Sequence, residues 1–229
     1  MQLVLKERYK KNKNIISDRD QQTLAHKKVV IIGLGGLGGF VLEQLTRVGV
    51  GHLVGYDHDV FDVSNLNRQR FSNEHSLYQH KATVAQQECR SINSDITIEC
   101  FSSLFDEQAF NQHVGDTDVF IDATDSIMTK VTIATMCKKH NKTYVVGAIG
   151  GHLGQVMVYF HNHDDILSVY ANHHQGIEKE LGNPVYTPAI IATIMVKSVV
   201  DVLLSRLEVH NKHWMIDLDD MMIMEVKKK

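Results

Sequence analysis

Three groups of residues in the first part of the chain have types and spacings that could do chemistry. Gly33, Gly35 and Gly38 form G-x-G-x-x-G, with Gly36 inside it. Asp57-His58-Asp59 comes next, and Ser64-Asn65-Leu66-Asn67-Arg68-Gln69 follows, with Lys81 beyond it. Glycines permit a tight turn and let main-chain N–H groups approach a phosphate closely. An acid about 20 residues past such glycines, at the end of the second strand, normally binds ribose hydroxyls. These two features alone fit NAD, FAD, SAM or ATP. The third group separates them. A dehydrogenase has no use for an arginine and amide cluster after its second strand, whereas the charged tail of a nucleoside triphosphate does. Arg68 can clamp phosphate with two parallel bonds. Asn65 and Gln69 can orient it, and Lys81 supplies a second cation. Asp59 is placed to help hold Mg²⁺, which takes few carboxylates alongside phosphate oxygens.

The elements that must position these groups are readable from periodicity. The β-branched run Val29–Ile32 is a buried parallel strand. Phe40–Val48 is the helix after the glycine loop, stopped by Gly49. Leu53–Tyr56 is the second strand, Lys81–Ile92 a helix and Ile96–Phe101 a third strand. Asp106–His113 is a short helix and Val119–Ile121 a fourth strand, ending in Asp122-Ala123-Thr124-Asp125-Ser126. Ligands of an open parallel sheet bind at the carboxyl ends of its strands, which is where Asp125 falls. Asp125 reads equally as an N-cap, and Asp122 is the weaker candidate. A helix then runs through Cys137. Thr143–Gly147 is a fifth strand and Gln155–Phe160 an antiparallel one. Pro188–Arg206 is a long apolar helix, buried or facing a second subunit. Lys197 and Asp201 interrupt it as a membrane span. His213–Val226 alternates as a hairpin turning at Asp219-Asp220, and its Met stripe reads as packing. The fold class is α/β. A Rossmann-like, mostly parallel sheet carries helices on both faces and gains antiparallel strands toward the C-terminus. One domain spans 1–229: a polar helical arm over 1–28, a nucleotide-binding core over 29–148, and strands, a loop and the apolar helix over 149–229.

Composition narrows the partners. Lys and Arg total 24 against 27 Asp and Glu, a net charge of −3. Such a balance suggests neither a nucleic-acid nor a membrane partner. No stretch of 18 apolar residues occurs and the N-terminus does not read as a signal peptide, so a cytoplasmic site is expected. Three widely spaced cysteines, Cys89, Cys100 and Cys137, argue against a disulfide framework. His161 and His163 have metal-ligand spacing, yet with His173 and His174 they read as solvated loop histidines.

GLGGLG, then D-x-D, then SNLNRQ, then the lysine, resembles the ThiF/MoeB/HesA superfamily, the bacterial relatives of ubiquitin-activating enzymes. The resemblance covers nearly the whole chain. It implies a Rossmann-like fold, a homodimer or pseudo-dimer, and Mg-ATP used to adenylate a C-terminal carboxylate. That carboxylate is commonly the Gly-Gly tail of a small ubiquitin-like sulfur carrier. It also implies that Gly33, Gly35, Gly36, Gly38, Asp57, Asp59, residues 64–69, Lys81, Asp125 and Ser126 surround the nucleotide. Asp125 and Asp59 would serve Mg²⁺. An arginine of the N-terminal arm, in the pattern R-Y-x-R, is implied to reach the neighbouring subunit's ATP. Here the arm reads Arg8-Tyr9-Lys10-Lys11, so Lys11 stands at the second arginine and Arg8 is a structural alternative. The two zinc-binding C-x-x-C pairs of many relatives are missing, so no structural zinc is expected. The loop cysteine that takes up the carrier is missing too, so the sulfur-handling step is expected to occur elsewhere, with an external sulfur donor, or not to occur. Three other readings stay open: a relative of tRNA-modifying dehydratases, a peptide-modifying adenylyltransferase, and a nucleotide-binding module without catalysis.

Overall fold

The apolar run after the polar arm forms strand β1, Lys28–Ile32, buried along its whole length. A computed structural model describes residues 6–160, 181–207 and 211–226. The histidines at 161, 163, 173 and 174, and the loop reading attached to them, lie outside these residues.

From β1 the chain enters helix α2 (Gly36–Val48) and strand β2 (His52–Tyr56). Helix α1 (Asp18–Ala25) precedes β1. Then come α3 (Lys81–Ile92), β3 (Thr97–Phe101), α4 (Glu107–His113), β4 (Val119–Asp122) and α5 (Ile127–Lys139). The chain continues through β5 (Thr143–Gly150), β6 (Leu153–Tyr159), α6 (Tyr186–Leu203), β7 (Lys212–Asp217) and β8 (Met222–Glu225). One eight-stranded sheet results, in the order β3-β2-β1-β4-β5-β6-β7-β8. It is parallel from β3 to β5 and antiparallel from β5 to β8.

Alternation along β1 divides the core, since successive side chains leave opposite faces of a strand. Val29 and Ile31 pack with Leu42 of α2, Ala85 of α3 and Met195 of α6. Val30 and Ile32 pack on the other face with Phe110 of α4 and Ile133 of α5. Helix α6 is long and apolar enough to cross a membrane, with mean hydropathy 1.5, but more than half of that stretch is buried within the fold. It lies against β5, β6 and α2, and Lys197 and Asp201 pair with each other one turn apart.

Three sequence expectations change. Helix α2 begins at Gly36 rather than Phe40, so the glycine loop itself contains the helix start. The polar arm is not one helix: a 3₁₀ turn over Glu7–Asn12 precedes α1. The Met stripe of the C-terminal hairpin is left exposed by the other described residues. Met221, Met222, Ile223 and Met224 are all exposed, because β8 is the last strand of the sheet and the other described elements leave both of its faces uncovered.

Candidate functional site

The carboxyl ends of β2, β1, β4 and β5 surround a cleft of about 250 Å³. Order reverses here, since β1 leads outward to β2 on one side while β4 lies on the other. Such a switch point leaves a crevice that the crossing helices cannot fill.

The glycine loop forms one wall. Gly33 adopts φ +85°, and a Cβ there would stand 3.0 Å from the carbonyl oxygen of Ala123. At Gly38 a Cβ would lie 1.8 Å from Gly33 O, so only glycine lets α2 begin against the loop. Gly38 is thus a spacer, whereas Gly33, Gly35 and Gly36 line the cleft. The first-turn N–H groups of α2 have no partners within the helix and carry the positive end of its dipole. They open toward a phosphate.

Asp57 follows β2 and is 8% exposed. Its Oδ2 accepts the Leu34 N–H at 2.7 Å and its Oδ1 accepts the Asp59 N–H at 2.9 Å. The carboxylate therefore ties the glycine loop to the end of β2 and keeps further lone pairs for ribose hydroxyls. Tyr56 lies beside it, stacked on Phe101 with centroids 4.9 Å apart and edge-on to Phe105 at 5.0 Å. Tyr56 also hydrogen-bonds His113 Nε2 at 2.8 Å. Burial, helped by Lys28, lowers the His113 pKa from its ordinary 6.5, which keeps that ring neutral at pH 7. Tyr56, Leu104 and Phe105 give this end of the cleft an apolar, aromatic wall.

Two cations face the loop. Lys81 opens α3 and is 6% exposed; its ammonium sits 2.9 Å from Asp59 Oδ2. Asp59 is thus paired with Lys81, and with Asp57 and His58 it forms a trio whose potential metal-ligand atoms lie within 4.8 Å of one another. Arg68 donates to Ser64 O and Asn67 Oδ1, both at 2.8 Å, and has no acidic partner among the described residues. Its guanidinium keeps donors for an incoming anion. The segment carrying it is pinned to α2 by Arg70, which binds Glu43 together with Arg47. Burial alone would raise the Glu43 pKa, but the two arginines hold it below its ordinary 4.5.

Not every expected residue reaches the cleft. Arg68 and Gln69 line it, but Ser64, Asn65, Leu66 and Asn67 do not. Asn65 Oδ1 accepts the Asp62 N–H at 3.1 Å, completing a capping box on the 3₁₀ turn at 63–65 whose N-cap is Asp62. That contact shapes the segment that carries Arg68. Asn67 steadies Arg68. Asp125 and Ser126 line the cleft; the N-cap of α5 is Ser126, which accepts the Thr129 N–H at 3.2 Å. Asp125 is thus released from capping and is exposed, with no ion pair among the described residues. Asp125 and Asp59 both line the cleft, so each of the two expected Mg²⁺ carboxylates is in place there. Asp122 is fully buried and bonds Thr124, Tyr144 and Lys130, the last at 3.3 Å. It holds the loop after β4 and does not face the cleft.

The arm is anchored at the far end of α2. Arg8 donates to Asn93 Oδ1 at 2.5 Å and pairs with Asp95 at 3.1 Å. Tyr9 accepts from Asn93 Nδ2 at 2.8 Å and packs at Gly49. Thirteen helical residues separate Gly35 from Gly49, roughly 20 Å at 1.5 Å per residue. Lys11, exposed on this arm, does not line its own chain's cleft. The cysteines are also remote. Cys89 and Cys137 are buried on α3 and α5, and Cys100 is half-buried on β3. Burial pushes the Cys89 and Cys100 thiols up to about 12, and Cys137 is raised as well.

Sequence reasoning did not single out Thr124, Phe105 or Asn183 as cleft residues. Phe105 and Thr124 could have been found as the residues just past β3 and β4. Asn183 reaches the cleft only through the return of the chain into α6, for which the sequence has no local signal.

This chain belongs to the ThiF family. The family model matches residues 9–229. Among curated relatives, the adenylyltransferase and sulfurtransferase MOCS3 of Arabidopsis thaliana is 35% identical over 142 residues, 62% of this chain and 31% of the relative. The sulfur carrier protein ThiS adenylyltransferase of Escherichia coli is 35% identical over 138 residues, 60% of this chain and 55% of the relative. The match thus spans about a third to a half of these relatives' own length. Among solved structures, E. coli MccB with ATP superposes with TM-score 0.81 at 19% identity, covering 98% of this chain and 72% of that one. That likeness concerns the fold: an α/β, Rossmann-like, mostly parallel sheet with antiparallel C-terminal strands.

Proposed function

We propose that the chain activates the C-terminal carboxylate, a Gly-Gly tail, of a small ubiquitin-like sulfur-carrier protein by ATP-dependent adenylation. The observation that carries this reading is the cleft itself. Arg68, Lys81, the N-terminus of α2 and Asp57 converge on one cavity in a chain whose relatives are named as adenylyltransferases.

Ribose binds at Asp57, the base against Tyr56 and Phe105, and the α-phosphate at the N-terminus of α2. A carboxylate oxygen attacks the α-phosphorus. The new O–P bond forms as the bond to the bridging oxygen breaks, and pyrophosphate leaves with that electron pair. Little proton transfer is needed, so catalysis rests on positioning and on fixed positive charge where charge accumulates. Arg68 and Lys81 supply it, Lys81 by turning from Asp59 toward the phosphates. Mg²⁺ would neutralise phosphate charge, and Asp125 with Asp59, both lining the cleft, would hold it. An external donor supplies the sulfur, since buried thiols of high pKa are poor nucleophiles.

Lys11 acts across a homodimer, as its distance from its own cleft supports. Lys11→Ala and Asp125→Ala chains, each inactive alone, then regain activity when mixed. A fully active monomer excludes this arrangement. The function is tested by ATP–pyrophosphate exchange with and without a Gly-Gly-tailed carrier. Carrier-dependent exchange supports it. Exchange driven instead by a peptide of another C-terminus or by a modified tRNA base moves the chain to another adenylating function, and no exchange with any carboxylate removes the catalytic reading.

A further inference from the structure

Among the described residues, three buried side-chain polar atoms have no hydrogen-bond partner: Gln69 Oε1, His113 Nδ1 and Asn183 Oδ1. Two of the three belong to residues lining the cleft. A buried carbonyl oxygen without a donor is destabilising, and natural folds keep few of them. Both lie in one ligand-sized cavity, where only a ligand that donates a hydrogen bond can complete such an oxygen.

The two amides stand in different places. Gln69 lies against Gly35, with its Nε2 3.5 Å from where a Cβ on that glycine would be. That is the phosphate end, where donors are needed, and the amide nitrogen can serve there. Asn183 stands at the end of β5, tied to the segment that carries Arg68 and Gln69. Its main chain is fixed from two directions: Asn183 O accepts from Asn67 Nδ2 at 3.3 Å, and Gly182 O accepts from Gly151 N at 2.9 Å. This holds it near the end of β5, where Ala148 and Ile149 also face the cleft. β5 lies three strands from β2 in the sheet order, about 14 Å at 4.8 Å per strand. The nucleoside end at Asp57 is therefore remote from Asn183.

Phosphate oxygens only accept hydrogen bonds, so they cannot satisfy Asn183 Oδ1. A peptide group can, because it offers an N–H and a C=O side by side, the complement of a side-chain amide. We infer that Asn183 is a specificity-determining residue that pairs with the last peptide bond of the acyl substrate. The site then takes carboxylates borne on an extended peptide C-terminus and discriminates against simple carboxylic acids. A site built to bond an N–H rejects an analogue lacking it, because its own buried group is left unpaired. The inference rests on the adenylation reading for its reaction, but it concerns a binding contact that can be measured without turnover.

The test uses the full chain with a non-hydrolysable ATP analogue and a fluorescent hexapeptide ending in Gly-Gly. A second peptide has its last residue N-methylated, which replaces the N–H by a methyl group that cannot donate. Fluorescence anisotropy should show the methylated peptide binding at least about 10-fold more weakly to the wild type, the scale of one lost bond to a buried group. Asn183→Leu should bind both peptides equally weakly with nucleotide affinity unchanged. The isosteric Asn183→Asp, which keeps the acceptor, should keep the preference for the unmethylated peptide. Thermal melting reports whether each variant is folded. Undiminished discrimination in folded Asn183→Leu overturns the inference, as does a loss of nucleotide affinity in place of peptide affinity. Absence of peptide binding to the wild type also overturns it. Pyrophosphate exchange separates the two claims. Exchange with simple carboxylates and no peptide binding keeps adenylation and sinks this inference. Methyl-sensitive peptide binding without exchange does the reverse.

Discussion

The β2–β1–β4 part of the sheet and the β6–β7–β8 part share one hydrogen-bonded ladder and use their side chains in opposite ways. In the first, nearly every polar group near the strand ends is tied to another. Asp57 holds Leu34 and Asp59, Lys81 holds Asp59, and Asp122 holds Thr124 with Lys130. In the second, β8 ends the sheet with Met222, Ile223 and Met224 exposed. One region is positioned by a connected network of polar bonds; the other is held by its backbone ladder, by buried apolar side chains such as Ile216, and by single polar pairs such as Lys212 with Glu225. The difference teaches where chemistry can be placed. A transition state needs charges held in fixed positions, which a connected polar network provides and a row of flexible thioethers does not.

The largest expected effect breaks the network at its most buried point. Asp122 and Lys130 are 0% and 2% exposed. Asp122→Ala leaves the ammonium without its counter-charge and should destabilise by about 3–5 kcal/mol, read as a lower urea midpoint. An unchanged midpoint would mean that Lys130 is held well enough by Gly147 O alone.

Next comes the cleft. Arg68→Ala or Lys81→Ala should slow pyrophosphate exchange at least ~10²-fold, about 2.7 kcal/mol in the barrier, as when one donor to a transition state is lost. Their melting temperatures should stay near that of the wild type. Exchange at the wild-type rate in both variants would remove these residues from the catalytic assignment.

A smaller effect appears in pH. Glu43 carries a pKa lowered from 4.5 because Arg70 and Arg47 outweigh its burial. A carboxyl depressed in the folded state binds fewer protons there than when unfolded. Its stabilisation is complete above pH 4.5 and disappears as pH falls through the folded value. The stability gap between wild type and Glu43→Gln should therefore be widest near neutral pH and close in acid. A gap of constant size would show that the arginines do not set this carboxyl.

The smallest effect belongs to the other region. Met224→Ser, on exposed β8, should change stability by within about 0.5 kcal/mol. Ile216→Ala, on neighbouring β7 and 1% exposed, should cost about 2–5 kcal/mol. A large cost at Met224 would mean that this face is covered in the folded protein, and the contrast between the two regions would have to be withdrawn.

The sequence by itself determined the elements and the nucleotide end of the cleft. The β-branched run at 29–32, the glycine spacing and the acid after β2 are local signals, because each depends on backbone conformations a few residues long. Helix α3 runs over Lys81–Ile92 as its periodicity requires, and Arg68, Lys81, Asp57 and Asp125 all come to one cavity. Tertiary structure alone decided what each polar group does once neighbours compete for it. Asn65 was drawn into a capping box with Asp62, the N-cap of the turn at 63–65. Asp59 was paired with Lys81, and Ser126 displaced Asp125 as the cap of α5. The Met stripe reads as packing from its hydrophobicity, yet burial requires a covering element, and no described element covers β8. Asn183 entered the cleft from beyond β6 through a long-range return of the chain. Such placements depend on which distant segments meet, and spacing along the chain does not encode that.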